Sequence, residues 1–101
     1  MNELNETEEF SGWLAKLRGP IGKVSIIHRI KRARKGNFGD HEPVGDSVSE
    51  MRLFVGPGYR LYYTMVKEQV YWLLVGGDKS TQEKDLKKAK EMAADIHGKK
   101  S

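Results

Sequence analysis

Two arginines lie in segments whose other residues are mostly apolar. Arg52 interrupts MRLFV (51–55), Arg60 interrupts YRLYYTMV (59–66), and Lys79 follows in GGDKS. A guanidinium holds two phosphate oxygens at once, and an ammonium adds a point charge. Such a set suits a phosphate whose oxygens gain charge during a displacement. Tyr62 and Asp78 are the neighbouring groups able to exchange a proton, and His41 lies in a polar stretch just upstream. Plainer roles exist for each. Arg52 and Arg60 can pair with Glu50 or Asp78, Tyr62 can pack in a sheet, and a lone loop histidine is usually polar surface.

Metal and cofactor chemistry finds little to work with. The chain has no cysteine, and His28, His41 and His97 are dispersed with no two at ligand spacing on one element. GGDKST lacks the first half of a Walker-type loop. The expectation is a protein without metal or cofactor.

The frame that must hold these residues reads as helix, helix, hairpin, strand, helix. Phe10, Trp13, Leu14 and Leu17 recur at helical spacing behind Asn5 or Thr7 as a cap, and Gly19 ends the run. Pro20 opens a second helix with Val24, Ile26, Ile27, Ile30 and Ala33 on its apolar face and His28, Arg29, Arg32 and Lys35 opposite; Gly36 and Asn37 stop it. The stretch through Ser49 contains Gly39, Pro43 and Gly45 without periodicity and reads as surface connection.

From Ser49 the period becomes two. A GPG turn at 56–58 predicts a hairpin pairing Val55 with Tyr59, and a Lys67-Glu68 turn leads to a third strand, QVYWLLV. That register sets Arg52 opposite Tyr62 and Phe54 opposite Arg60, on one face with Thr64, Tyr71, Leu73 and Val75. Met51, Leu53, Val55, Leu61, Tyr63, Met65, Val70, Trp72 and Leu74 form the other face, where the two helices should pack. A one-residue bulge would flip part of a strand. Trp13 and Trp72 read as core anchors. Ser80 and Glu83 form a capping box for a last helix along Leu86, Ala89, Ala93 and Ile96, whose start, beside Lys79, suits an anion. His97 falls in its tail. The predicted class is α+β: two N-terminal helices packed on a small antiparallel β-sheet, followed by a C-terminal helix, in one domain over 1–101.

Charge is distributed unevenly. Residues 1–9 hold four Glu, whereas 11–39 hold eight Lys or Arg and no acid, against a net charge of +4 for all 101 residues. Lys23, Arg29, Arg32 and Lys35 fall in this block, which points to a polyanion such as RNA or to an acidic protein partner, or else to a solvated helix face. No apolar run is long enough to span a bilayer, and MNELNETEEF has neither the basic nor the apolar region of a signal peptide, so a cytoplasmic protein is expected.

The order GNFGD, PVGDSVSEMR, GPGYRLYY, LLVGGDKSTQ closely resembles the addiction-module killer proteins, a HigB-like branch of the RelE/ParE superfamily of bacterial toxins; the likeness spans residues 8–96. The resemblance implies a short N-terminal strand, which residues 1–6 would have to supply although ELNE carries little strand signal. It also implies a growth-arresting toxin held in check by a cognate antitoxin, often a small helix-turn-helix DNA-binding protein. Many relatives cleave mRNA on the ribosome without a metal: the 2′-hydroxyl attacks its own phosphate while cationic side chains stabilise the charge. By position Arg60 matches the family's strand arginine, while Arg52 and Lys79 fall near further basic positions. Several members carry a late tyrosine for proton transfer; this chain has none after Tyr71, leaving Tyr62, Asp78 or His41. Other classes implied are a non-catalytic, ParE-like inhibitor of DNA gyrase and a non-toxic binding module.

Overall fold

The computed structural model describes residues 1–98. Its elements are β1 (Glu3–Glu6), α1 (Glu8–Lys16), α2 (Pro20–Arg34), β2 (His41–Gly45), β3 (Val48–Leu53), β4 (Tyr59–Lys67), β5 (Val70–Asp78), a 3₁₀ turn (Lys79–Thr81) and α3 (Gln82–Gly98). The α+β class and the C-terminal helix are as predicted, but the sheet is five-stranded and mixed. Its order is β1-β5-β4-β3-β2, with β1 parallel to β5 and the other pairs antiparallel.

Two strands lack a local signal in the sequence: the first, over residues 1–6, is implied by the resemblance alone, and the second reads as surface connection. ELNE forms β1 because the open edge of β5 accepts it: Glu3 N–H donates to Gln69 O at 2.7 Å, and Leu4 is buried in the core. Tertiary pairing here overrides weak local propensity. The expected surface connection contains β2, joined to β3 by Asp46 and Ser47, both at positive φ as a two-residue hairpin turn requires. Pro43 is tolerated because β2 is an edge.

The helices start and stop for local reasons. Thr7 caps α1 by accepting from Phe10 N–H, and Pro20 occupies the first turn of α2. The predicted Ser80 box is replaced by an earlier one, in which Asp78 and Thr81 cap the 3₁₀ turn that leads into α3.

The hairpin register differs from the predicted one by two residues. Leu53, not Val55, pairs with Tyr59, so the loop covers 54–58 and Arg52 lies directly opposite Arg60. A shift of two preserves which side each residue faces. In β5 the outcome is different. Lys67 pairs with Val70, a register shift between Met65 and Lys67 puts Tyr71 and Leu73 on the face under α1 and α2, and a second, where Tyr62 and Tyr63 pair with Val75 and Leu73, returns Val75 to the expected side. Trp72, Leu74 and Val75 go to the other face with Tyr62. That is the reverse of the expected assignment for Tyr71, Trp72, Leu73 and Leu74.

Both faces are therefore core. Phe10, Ile26, Ile30 and Ala33 from α1 and α2 pack on Met51, Leu53, Leu61, Tyr63 and Leu73. Ala89 and Ala93 of α3 pack on Val48, Tyr62, Leu74 and Val75. The small residues on α3 let it approach the sheet closely.

The Gly76-Gly77 pair marks two close approaches. A Cβ on Gly76 would overlap the Trp13 ring, and one on Gly77 would overlap the Asp85 carboxylate of α3. Replacing Gly77 with Ala should destabilise the fold by about 1–3 kcal/mol, the usual cost of overpacking, read as a lower denaturation midpoint. An unchanged midpoint would mean that α3 is free to shift.

Candidate functional site

Strands β3 and β4 hold Arg52 and Arg60 side by side on the α3 face, beyond the end that α3 covers. Two like charges directly opposite on adjacent strands repel. Glu50 resolves this: its Oε2 lies 3.0 Å from Arg60 Nη1 and 3.7 Å from Arg52 Nη1, and its side chain is only 5% exposed. Arg52 also pairs with Asp40 at 2.9 Å and with Glu42. The hydrogen bond that Arg52 donates to Asp40 holds the Asp40 carboxyl below its usual range and raises the Arg52 pKa.

Lys79 reaches the same place from the 3₁₀ turn. Arg52, Phe54, Gly58, Tyr59, Arg60 and Lys79 border a shallow cleft of about 10 Å³, room for a single water. A ligand larger than that lies across the cleft, not in it. Phe54, displaced from the strand by the longer loop, stands 77% exposed at its rim. The two arginines are paired with three carboxylates, Asp40, Glu42 and Glu50, so they offer donors with their charge largely balanced. Glu50 takes one of Arg60's five N–H donors.

Other candidates go elsewhere. Tyr62 is fully buried beneath α3, and its hydroxyl has no hydrogen-bond partner among the described residues. Desolvation, reinforced by the nearby Glu50 carboxylate, pushes its pKa up to about 12. As placed it is sheet packing, closed to a substrate. Asp78 is committed as a cap, accepting from Ser80 N–H at 2.8 Å and from the Ser80 hydroxyl at 2.5 Å. His41 neighbours Met51 on the opposite face, where its ring packs beside Phe38 and Nδ1 lies 2.8 Å from Gly39 O.

The basic helix also divides. Arg29, read from the sequence as a surface cation, turns inward, and its guanidinium donates to the carbonyls of Arg52 (2.7 Å), Phe38 (2.9 Å) and Asp40 (3.0 Å). Burial lowers its pKa. It is a clamp that fixes the segment entering β2 against the end of β3, and so steadies Asp40 beside Arg52. Lys23 donates to Ala15 O at 3.2 Å and ties α2 to α1. Arg32 and Lys35 stay exposed. His97, expected in a loose tail, lies 2.9 Å from the Thr64 hydroxyl.

Sequence reasoning named Glu50 as a pairing partner of the arginines, as a plainer role, but missed Asp40 and Glu42. The alternation Glu50, Arg52 on one strand was the available signal, since residues two apart share a face. For Asp40 and Glu42 no signal existed until β2 was known.

Fold and site together define a small α+β domain with a cation–carboxylate network at one end of its sheet. No protein-family model matches the chain. It is 44% identical over 94 residues to a protein of Haemophilus influenzae described as uncharacterized, covering 93% of this chain and 95% of that one. The chain belongs to the same family as that protein.

Two measurements check these placements. Arg29→Ala strands three carbonyls and should cost about 2–3 kcal/mol, with Arg29→Lys recovering only part because an ammonium lacks the fork. Destabilisation below 0.5 kcal/mol, a bound roughly at surface-substitution level, would deny the clamp. Burial raises Tyr63 as well as Tyr62 to about 12. Both phenols are raised in the folded state, so their stabilising effect is intact below about pH 10, the ordinary tyrosine value, and is lost as pH climbs toward 12. Absorbance titration should show two tyrosines ionising late, together with falling stability over that interval; four ionising together near pH 10 would contradict the burial.

Proposed function

We propose that the chain is the toxin of a type II toxin–antitoxin pair, a HigB-like member of the RelE/ParE superfamily that cleaves mRNA on the ribosome. The observation that carries this reading is the meeting of Arg52, Arg60 and Lys79 at one cleft beside an exposed aromatic ring. Cations for a phosphate next to a stacking surface for a base are what single-stranded RNA requires. The motif resemblance supports it, as does β1, the N-terminal strand that the resemblance implies. Ribosomes place such work in the cytoplasm; among the described residues no helix is long and apolar enough to cross a membrane.

In the proposed reaction the 2′-oxygen gives up its proton and bonds to phosphorus while the bond to the 5′-oxygen breaks, and the leaving 5′-oxygen takes a proton from solvent. Arg60, the more sheltered arginine, holds the phosphate oxygens as they gain charge, with Lys79 adding a second contact. A rigid strand pair keeps these donors in place during reaction. Tyr62 is sealed and Asp78 is turned to the start of the last helix; Asp40 and Glu42, half-exposed although paired with Arg52, are the nearest groups able to take the 2′-proton. A cognate antitoxin, of the small helix-turn-helix kind, completes the pair.

One observation favours a second reading. Arg52 and Arg60 already have carboxylate partners, and no open tyrosine stands beside them, which suits a non-catalytic toxin that inhibits DNA gyrase by binding it.

The two readings separate in cells. Under the nuclease reading, Arg60→Ala should lower message cleavage by about 10²–10³ and abolish growth arrest while leaving antitoxin binding intact. Arg60→Lys should restore part, and Lys79→Ala should cost less. Primer extension on translated message reads the cuts. Intact message with falling DNA supercoiling would replace the nuclease by the gyrase inhibitor.

A further inference from the structure

Helix α2 has a second apolar stripe that the fold does not use. Gly22, Ile26, Ile30 and Ala33 face the sheet, but Ile21 is 76% exposed, Val24 51% and Ile27 39%. At three-residue spacing these three fall on one outward arc. Along the same arc the later turns carry His28, Lys31, Arg32 and Lys35, all exposed. The outward surface of one helix thus passes from aliphatic to cationic, with no acid anywhere along it. Beside it lies a cleft of about 280 Å³, bordered by Ser25, His28 and Arg32 of α2 and by Leu53, Phe54 and Val55 at the hairpin end. It offers room for one large apolar side chain.

We infer that this face is a docking site for an acidic amphipathic helix of a partner protein, one that lays an apolar stripe on Ile21, Val24 and Ile27 and sets carboxylates against Lys31, Arg32 and Lys35. Charge complementarity selects the occupant. RNA would satisfy the cations but has no use for three aliphatic side chains, since bases stack on aromatic or guanidinium planes. A second copy fits in neither direction. Antiparallel pairing of two such faces sets cations on aliphatic residues, and parallel pairing sets cation on cation. Phe54 borders both this cleft and the arginine cleft, so the docked helix covers the aromatic rim of the site. Binding and inhibition are thereby one event.

The inference rests on the toxin reading, because it takes the antitoxin as the partner. The probe is the purified protein encoded by the neighbouring gene. Its Kd is measured calorimetrically against wild-type chain, the Ile21→Ser/Val24→Ser variant and the Lys31→Glu/Lys35→Glu variant, all surface changes whose unchanged circular dichroism and melting midpoint confirm folding. Each variant should raise Kd at least tenfold, and the charge reversal should also flatten its salt dependence. Tight binding of wild type with both variants within twofold would overturn the inference and leave the toxin reading standing. Failure of the neighbour to bind wild type would remove both. Unchanged antitoxin Kd with the serine variant releasing ribosomes, or converting a wild-type dimer to monomer, would hand the stripe to RNA or to a second copy.

Discussion

One buried carboxylate makes the site possible. Arg52 and Arg60 face each other across β3 and β4, an arrangement that a bare strand pair resists, and Glu50 lies within reach of both. Burying a carboxylate is itself costly unless it is paired, so the three residues are stable only together. Their mutual need fixes more than themselves. Arg52 extends the network to Asp40 and Glu42, and Arg29 holds the Asp40 and Arg52 carbonyls from the other side. A connection read as loose surface is thereby pinned into an edge strand.

The same sheet must serve two hydrophobic cores, and the bulge in β5 is how it does so. With Tyr62 paired to Val75 and Tyr63 to Leu73, Leu74 is the extra residue, and Leu74 and Val75 both join the core beneath α3. A regular strand would send one of them to the face under α1 and α2. The following glycines then let Trp13 approach from one side and Asp85 from the other. Tyr62 is drawn into the α3 core by this arrangement, which removes it from solvent and from chemistry.

Legibility followed the range of the interactions involved. The helices were readable because their signals are local: Thr7 and Pro20 at starts, Gly36 at a stop, and 3.6-residue periodicity between. The hairpin was readable in kind, and its arginines kept their common face because the register error was even. The edge strands were not readable, since ELNE and HEPVG become strands only when β5 and β3 offer them partners. Tyr71 to Leu74 were misplaced because parity carries an error of one residue through to the end of a strand. For the site, Arg52, Arg60 and Lys79 could be grouped from sequence, whereas the inward turn of Arg29 and the capping by Asp78 depend on neighbours distant in the chain or on where the last helix begins.

Attraction and contact are separated in this molecule. Arg52 and Arg60 are balanced by Asp40, Glu42 and Glu50, so the arginine pair projects little field, and a charged ligand arriving from a distance would not be guided to it. Exposed charge is instead concentrated on the outer arc of α2, where Lys31, Arg32 and Lys35 have no acidic neighbours on the helix. Long-range attraction for an anion therefore comes from the helix, while the arginines act only at short range, where donor geometry outweighs net charge. Fixed carboxylates also select among anions at the cleft. They repel any ligand that cannot offer an oxygen to Arg60 or Lys79 in the right place, so loose binding by charge alone is suppressed there while it is permitted on α2.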